Sequence, residues 1–195
     1  MKPSDKPRSR RAAPQAAQAS GSKVSRADRV SAPQDERLFT LDVFLVSGPV
    51  TEAFARKNKR ICRTIQIRGD QTLRVLHDAI FDAFDREDEH MYEFQVGGKG
   101  PMDPKARRYV LPTTLKNPFA EAKPAGSVSR TTIGSLGLKK GDAFGYWFDF
   151  GDDWWHQVNV AGIEEHAGPG KYPRMTRRVG ESPPQYPDLD EDGEE

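Results

Sequence analysis

The chain has a single cysteine, Cys62, among its 195 residues. One thiol cannot close an intrachain disulfide or build a cysteine-based zinc cluster, and its isolation agrees with a reducing compartment. Long apolar runs are missing too. No window approaches the roughly 20 consecutive apolar residues that a bilayer-spanning helix needs, and residues 1–37 hold no apolar stretch that could serve as the core of a secretory signal. The expectation is a cytoplasmic protein with no membrane partner. What is present suits one ordinary folded core with polar tails, since 35% of residues are hydrophobic and 30% are charged.

The net charge of +1 hides an asymmetry between the ends. Residues 1–37 carry nine Lys or Arg against four acids, a net of +5, whereas residues 181–195 carry seven acids and no base. The first stretch is built from Ala, Ser, Pro, Gln, Lys and Arg, which offer too little apolar surface to offset chain entropy, so a disordered basic arm is expected there. Arg8, Arg10 and Arg11 are its candidates for nucleic-acid contact through phosphate neutralisation. A solubilising tail is the favoured reading, because the arm has no aromatic residue to stack on bases. Residues 166–195, ending in the acidic segment with Pro183, Pro184 and Pro187, are expected to be a second disordered tail.

Between them, residues 38–165 carry the periodicities of folded elements. Leu38 to Val46 places Phe39, Leu41, Val43 and Leu45 on one side of a strand ended by Ser47-Gly48-Pro49. Arg60 to Arg68 is a second strand with Ile61, Ile65 and Ile67 on the inner face; Arg63 interrupts that alternation and suggests the sheet margin. Gly69-Asp70-Gln71-Thr72 supplies turn and capping residues for a helix from about Leu73 to Phe84, with Leu73, Leu76, Ile80, Phe81 and Phe84 as its core stripe. His77 falls inside that stripe, where a buried, hydrogen-bonded histidine is more common than a ligand. Met91 to Val96 and Arg107 to Leu111 read as further strands. Residues 99–130 otherwise form a proline-rich excursion. Gly97-Gly98-Lys99-Gly100 resembles a phosphate loop only superficially, since no Lys-Ser or Lys-Thr follows and no helix opens after it. Thr132 to Leu136 suggests one short helical turn, and Ala143 to Phe150 and Trp154 to Ile163 are read as the last two strands. Together these predict an α+β domain: a mixed, mostly antiparallel sheet packed on one main helix, with an element order like that of a β-grasp.

The most informative stretch joins those two strands: Asp149-Phe150-Gly151-Asp152-Asp153-Trp154-Trp155-His156. If Gly151, Asp152 and Asp153 form a three-residue loop, Phe148 lies opposite His156. Phe144, Tyr146, Phe148, Phe150, Trp154, Val158 and Val160 then share a face. A two-residue loop of Asp152 and Asp153 puts Asp149 opposite His156 and splits that face. A slip of one residue reverses every side chain, so burial selects the first register. Asp149 then shares the outer face with Trp147 and Trp155, and His156 sits at the rim of the core. The acidic residues also suit a turn, where Asp149 and Asp152 cap backbone N–H groups and Gly151 takes a positive φ. Trp147, Asp149, Asp152, Asp153, Trp155 and His156 form the candidate contact surface, with His90 as a second point. Cys62, read as outward-facing beside Arg60 and Arg63, is a candidate for a lowered thiol pKa, though a lone, partly exposed thiol is the more usual outcome.

Leu73-Arg74-Val75-Leu76-His77, His90-Met91-Tyr92-Glu93-Phe94, Leu138-Lys139-Lys140-Gly141-Asp142 and the Asp149 to His156 stretch, in that order, resemble the plasmid pRiA-type open-reading-frame-three-like family, which includes passenger proteins of insertion elements. The resemblance spans about residues 38–165 and implies an α+β fold in a plasmid or mobile-element setting, with no established reaction. Three departures stand out. Lys59 to Arg63 replaces a Trp-Arg-Arg run, Asp85-Arg86 replaces an aromatic after the helix, and the C-terminal cysteines of many relatives are absent, so a metal role resting on them does not carry over.

Two classes of function remain. The favoured one is a non-enzymatic binding or regulatory module, without cofactor or metal, that contacts nucleic acid or a protein partner. The alternative is a metal-dependent enzyme in which His90, Asp149, Asp152, Asp153 and His156 hold a divalent ion or perform acid-base work. No nucleophile motif is present, and Asp-Phe-Gly without a glycine-rich or catalytic loop is not a kinase signature.

Overall fold

The computed structural model describes residues 35–116 and 123–188. Arg8, Arg10, Arg11 and most of the expected N-terminal arm lie outside them. Eight strands form one sheet: β1 (Leu38–Ser47), β2 (Cys62–Arg68), β3 (Tyr92–Val96), β4 (Arg107–Val110), β5 (Gly126–Ser127), β6 (Ala143–Phe148), β7 (Trp154–Glu164) and β8 (Arg174–Val179). Their order across the sheet is β5-β4-β3-β6-β7-β1-β2-β8. The β4–β5 pair is parallel and the remaining neighbours are antiparallel. Among the described residues, two α-helices accompany the sheet, α1 (Glu52–Lys57) and α2 (Leu73–Ala83). The expected α+β domain with a mixed, mostly antiparallel sheet and one main helix is therefore what forms, whereas the likeness to a β-grasp is not established by this pairing. No helix among the described residues is long and apolar enough to cross a membrane.

Alternation decides which face of the sheet is covered. In the β1–β2 pair, Phe39 lies opposite Ile67, Leu41 opposite Ile65 and Val43 opposite Arg63, all fully buried. The intervening positions are polar and pair with one another: Thr64 Oγ1 donates to Asp42 Oδ1 at 2.6 Å, and Gln66 Nε2 to Thr40 Oγ1 at 3.4 Å. One face thus packs on a core and the other meets solvent, as antiparallel sheets permit.

Helix α2 lies on the core face. Thr72 caps it, its side chain accepting from Val75 N at 3.4 Å, and Leu73, Leu76, Ile80 and the C-cap Phe84 are buried along one stripe. Burying a stripe of this kind contributes about 1.5–3 kcal/mol per large side chain. The helix ends in paired backbone bonds, Asp85 N to Asp82 O at 3.2 Å and Arg86 N to Phe81 O at 3.1 Å, with Asp85 left-handed at φ 54°. This is a Schellman ending, which reverses the chain abruptly. Its effect here is to turn Arg86 inward.

The sheet runs past the boundary expected at residue 165. Residues 174–179 pair with β2 as β8, so β6 and β7 are not the last strands. The segment beyond β8 is held by side chains: Gln185 Oε1 accepts from Glu87 N at 2.9 Å and Asp88 N at 3.1 Å, and its Nε2 donates to Asp88 O at 2.9 Å. Polar, proline-rich composition read as a tail because the side chains that anchor it bond to backbone, which leaves no periodicity to find.

Candidate functional site

The β6–β7 hairpin pairs Phe148 with Trp154, Trp147 with Trp155 and Tyr146 with His156. The connecting loop is therefore residues 149–153, longer than either expected loop. Asp149 makes that length stable. Its Oδ1 accepts from Gly151 N at 3.0 Å and Asp152 N at 3.4 Å, and its carbonyl accepts from Asp153 N at 2.8 Å. Asp149 and Asp153, both at φ 54°, supply the left-handed conformations, which aspartate tolerates. Gly151 does not have the positive φ expected of it.

The register differs from the expected one by an even number, so the expected facing of the strands survives and the opposite partner changes. Trp147 and Trp155 share the outer face and stack at 4.6 Å, 10° from parallel, and Phe150 adds a third ring 4.1 Å from Trp147. Phe150 is exposed rather than on the core face. Trp147 Nε1 donates to Asp153 Oδ1 at 2.9 Å. Trp147, Phe150, Asp152 and Asp153 thus form one corner of the molecule, while Trp155, expected on the contact surface, is buried and backs the Trp147 ring. Asp149, expected on an exposed edge, is buried because its carboxylate is turned into the loop.

His156 is corrected more sharply. It is 1% exposed and packs edge-on against Phe84 at 4.8 Å, well inside the core rather than at its rim. Burial, then the nearby Arg86 guanidinium, pushes its pKa down to about 3, so the ring is neutral. Neither nitrogen makes a hydrogen bond of normal geometry, although the carbonyls of Trp154 and Tyr146 lie close enough to favour a proton.

His90 is exposed, with Nε2 2.8 Å from the Tyr186 hydroxyl and 3.4 Å from Asp149 Oδ2. The five groups proposed for a metal or acid-base centre do not converge. Among the described residues, the His, Cys and carboxylate grouping whose ligand atoms come within 4.8 Å is His77, Asp78 and Glu89. There Arg74 already neutralises the acids, 2.8 Å from Asp78 and 3.7 Å from Glu89.

His77 behaves as its position in the helix stripe predicts. It is buried and stacked on Tyr92 at 3.6 Å, and burial pushes its pKa down to about 3. A neutral ring with Glu89 Oε2 3.1 Å from Nε2 must donate there, so Nδ1, 2.7 Å away, accepts from the Tyr146 hydroxyl. Cys62 is buried rather than partly exposed, and burial raises its thiol pKa, the opposite of activation.

Sequence reasoning missed the two arginines that matter most to this end of the core. Arg63 is fully buried on the core face, not at the margin. It donates to Ala83 O at 2.8 Å, Cys62 O at 2.9 Å, Val179 O at 2.8 Å, Gly180 O at 3.2 Å and Ser182 Oγ at 2.8 Å. Arg86, 7% exposed, lies with its guanidinium 3.6 Å from the centre of the Trp154 ring. The break in alternation at Arg63 is one available signal; for Arg86 the signal is the replacement of an aromatic by Asp85-Arg86 after the helix, which does not by itself say that the arginine is buried.

The fold is similar to that of a crystal structure of a protein of unknown function from Methanosarcina mazei Go1, at a TM-score of 0.56 and 24% identity over 77% of this chain and 73% of that one. That likeness defines the fold class. Residues 53–187 match the model of the plasmid pRiA4b ORF-3-like protein family, and the chain belongs to that family. The match takes in β8 and the segment that Gln185 anchors. No curated protein matches the chain.

Proposed function

We propose that the chain is a non-enzymatic binding module acting in the cytoplasm in a mobile-element setting, and that its contact surface is the corner of the β6–β7 hairpin. Its partner is a protein that offers a basic side chain beside apolar surface. The observation that carries this reading is the stack of Trp147 on Trp155 and Phe150, with Asp153 tied to the Trp147 indole. Rings held in a fixed stack give contact area without ordering cost, and their faces attract cations. The loop carries Asp149, Asp152 and Asp153 and no base, so this surface repels phosphate and favours a protein over nucleic acid. The enzyme reading loses its main support, because His156 is enclosed and the carboxylate of Asp149 is committed to its own turn.

An affinity pull-down from native cells, with and without nuclease, tests the proposal with the full chain as bait. Protein captured equally with nuclease, and reduced several-fold by Trp147→Ala and by Phe150→Ala, is the expected result. Capture that disappears with nuclease, or that both variants retain, would end the reading.

A further inference from the structure

The end of α2 carries a formal charge into the protein, where it stacks on the Trp154 ring and meets no hydrogen-bond acceptor. Arg86 follows the left-handed Asp85, and its Nε, Nη1 and Nη2 are all buried with no hydrogen bond. Beside it, Trp154 Nε1 is buried and without a hydrogen bond as well, while the His156 ring has the carbonyls of Trp154 and Tyr146 nearby. Burying a guanidinium or an indole N–H without an acceptor is unfavourable, because each loses the hydrogen bonds that water would supply. A guanidinium and an indole N–H that share one buried corner and have no acceptor make a place suited to an accepting group. Burial lowers the Arg86 pKa only to about 10, so the side chain stays charged at neutral pH.

The chemistry of that group follows from what surrounds it. Arginine and the tryptophan indole have only donors to offer, and the arginine charge repels a metal ion. The group must accept hydrogen bonds and carry negative charge. Asp149 and Asp152 lie close enough to raise the Arg86 pKa, so a second full negative charge is disfavoured and a single one is sufficient. Planar guanidinium matches a carboxylate through two parallel hydrogen bonds. We propose that Arg86, with the Trp154 indole N–H and His156 beside it, forms a buried binding site for the carboxylate of a small organic acid.

This site uses none of the stacked outer rings of the hairpin surface, since Trp154 and His156 face the core side of β7. Its nitrogens have no exposure, so a ligand enters by displacing a cover. The segment that Gln185 clamps to the backbone of Glu87 and Asp88, directly after Arg86, is suited to that part. Close packing limits what else can move: a Cβ on Gly48 would lie 2.2 Å from the Trp154 ring.

Titration of the purified full chain with acetate, benzoate and inorganic phosphate, followed by thermal unfolding and by saturation transfer from ligand protons, tests the proposal. A saturable rise in Tm with a carboxylate is expected, with transfer from benzoate or acetate protons to the Trp154 indole. Arg86→Met weakens that response at least about tenfold, the loss of one charge-assisted pair, and Gln185→Ala speeds association. A carboxylate response that Arg86→Met retains, tighter binding of phosphate than of either acid, or no saturable response at all overturns the proposal. If Arg86→Met does not fold, the wild-type transfer decides alone: signal at Trp147 without Trp154 also overturns it.

Discussion

Two buried arginines, 23 residues apart in the chain, are treated in opposite ways by this fold. Arg63 enters the core from β2 and meets four carbonyls and a hydroxyl, which tie together the C-terminus of α2, the end of β8 and Ser182. Arg86 enters from the end of α2 and meets an indole face and no acceptor. The first is a fastener, with every partner supplied by the chain itself. The second is an open valence. Burial alone does not tell them apart; the count of acceptors does.

The contrast is sharpest under substitution. Arg63→Met removes the donor from carbonyls that the fold cannot rehydrate, and loses about 3–5 kcal/mol in denaturant unfolding, with β8 released first in hydrogen exchange. A loss below about 1 kcal/mol would remove the distinction between the two sites. Acid separates the regions next. His77 and His156 both titrate near 3 when folded and near 6.5 when unfolded. The unfolded chain therefore binds more protons, and stability falls as pH drops below about 6.5 and continues to fall toward 3. Each histidine contributes about 1.4 kcal/mol per pH unit in that window. Measured between pH 6.5 and pH 5, before most carboxylates titrate, the slope halves in His156→Phe.

Arg86→Met acts in the other direction: without added carboxylate it leaves stability unchanged or raises it by about 1–4 kcal/mol, as when a buried charge is replaced by apolar volume. A large loss would show that Arg86 is satisfied in solution after all. The smallest effect belongs to the exposed corner. Asp153→Ala removes one solvent-exposed hydrogen bond and changes unfolding by about 1 kcal/mol or less, while lowering partner capture.

What could be read from the sequence followed from periodicity. The core face of β1, the stripe of α2 and the facing of β6 and β7 all come from alternation that burial enforces, and His77 was readable because it sits in such a stripe. Arg63 defied the pattern because the tertiary structure brings acceptors to a position that local sequence marks as apolar. The five-residue loop at Asp149 escaped notice because side-chain capping, not strand length, sets the register there. For His156 the periodicity gives the correct face of β7, but the five-residue loop changes its cross-strand partner from Phe148 to Tyr146 and the core closes over it. Arg86 and Gln185 depend on a Schellman turn and on a C-terminal segment that returns across the chain, and neither leaves a periodic trace.

The strand order has a consequence for how the chain is made. β1 pairs with β7 on one side and β2 on the other, and Val43 waits for Val158 to be synthesised. At about 5–20 residues per second that interval is on the order of ten seconds. Throughout it the β1–β2 pair stands with two unpaired edges, its row of Phe39, Leu41, Ile65 and Ile67 covered by α2 at most. Until the closing strands emerge, the nascent chain is vulnerable to pairing with its neighbours on the same messenger.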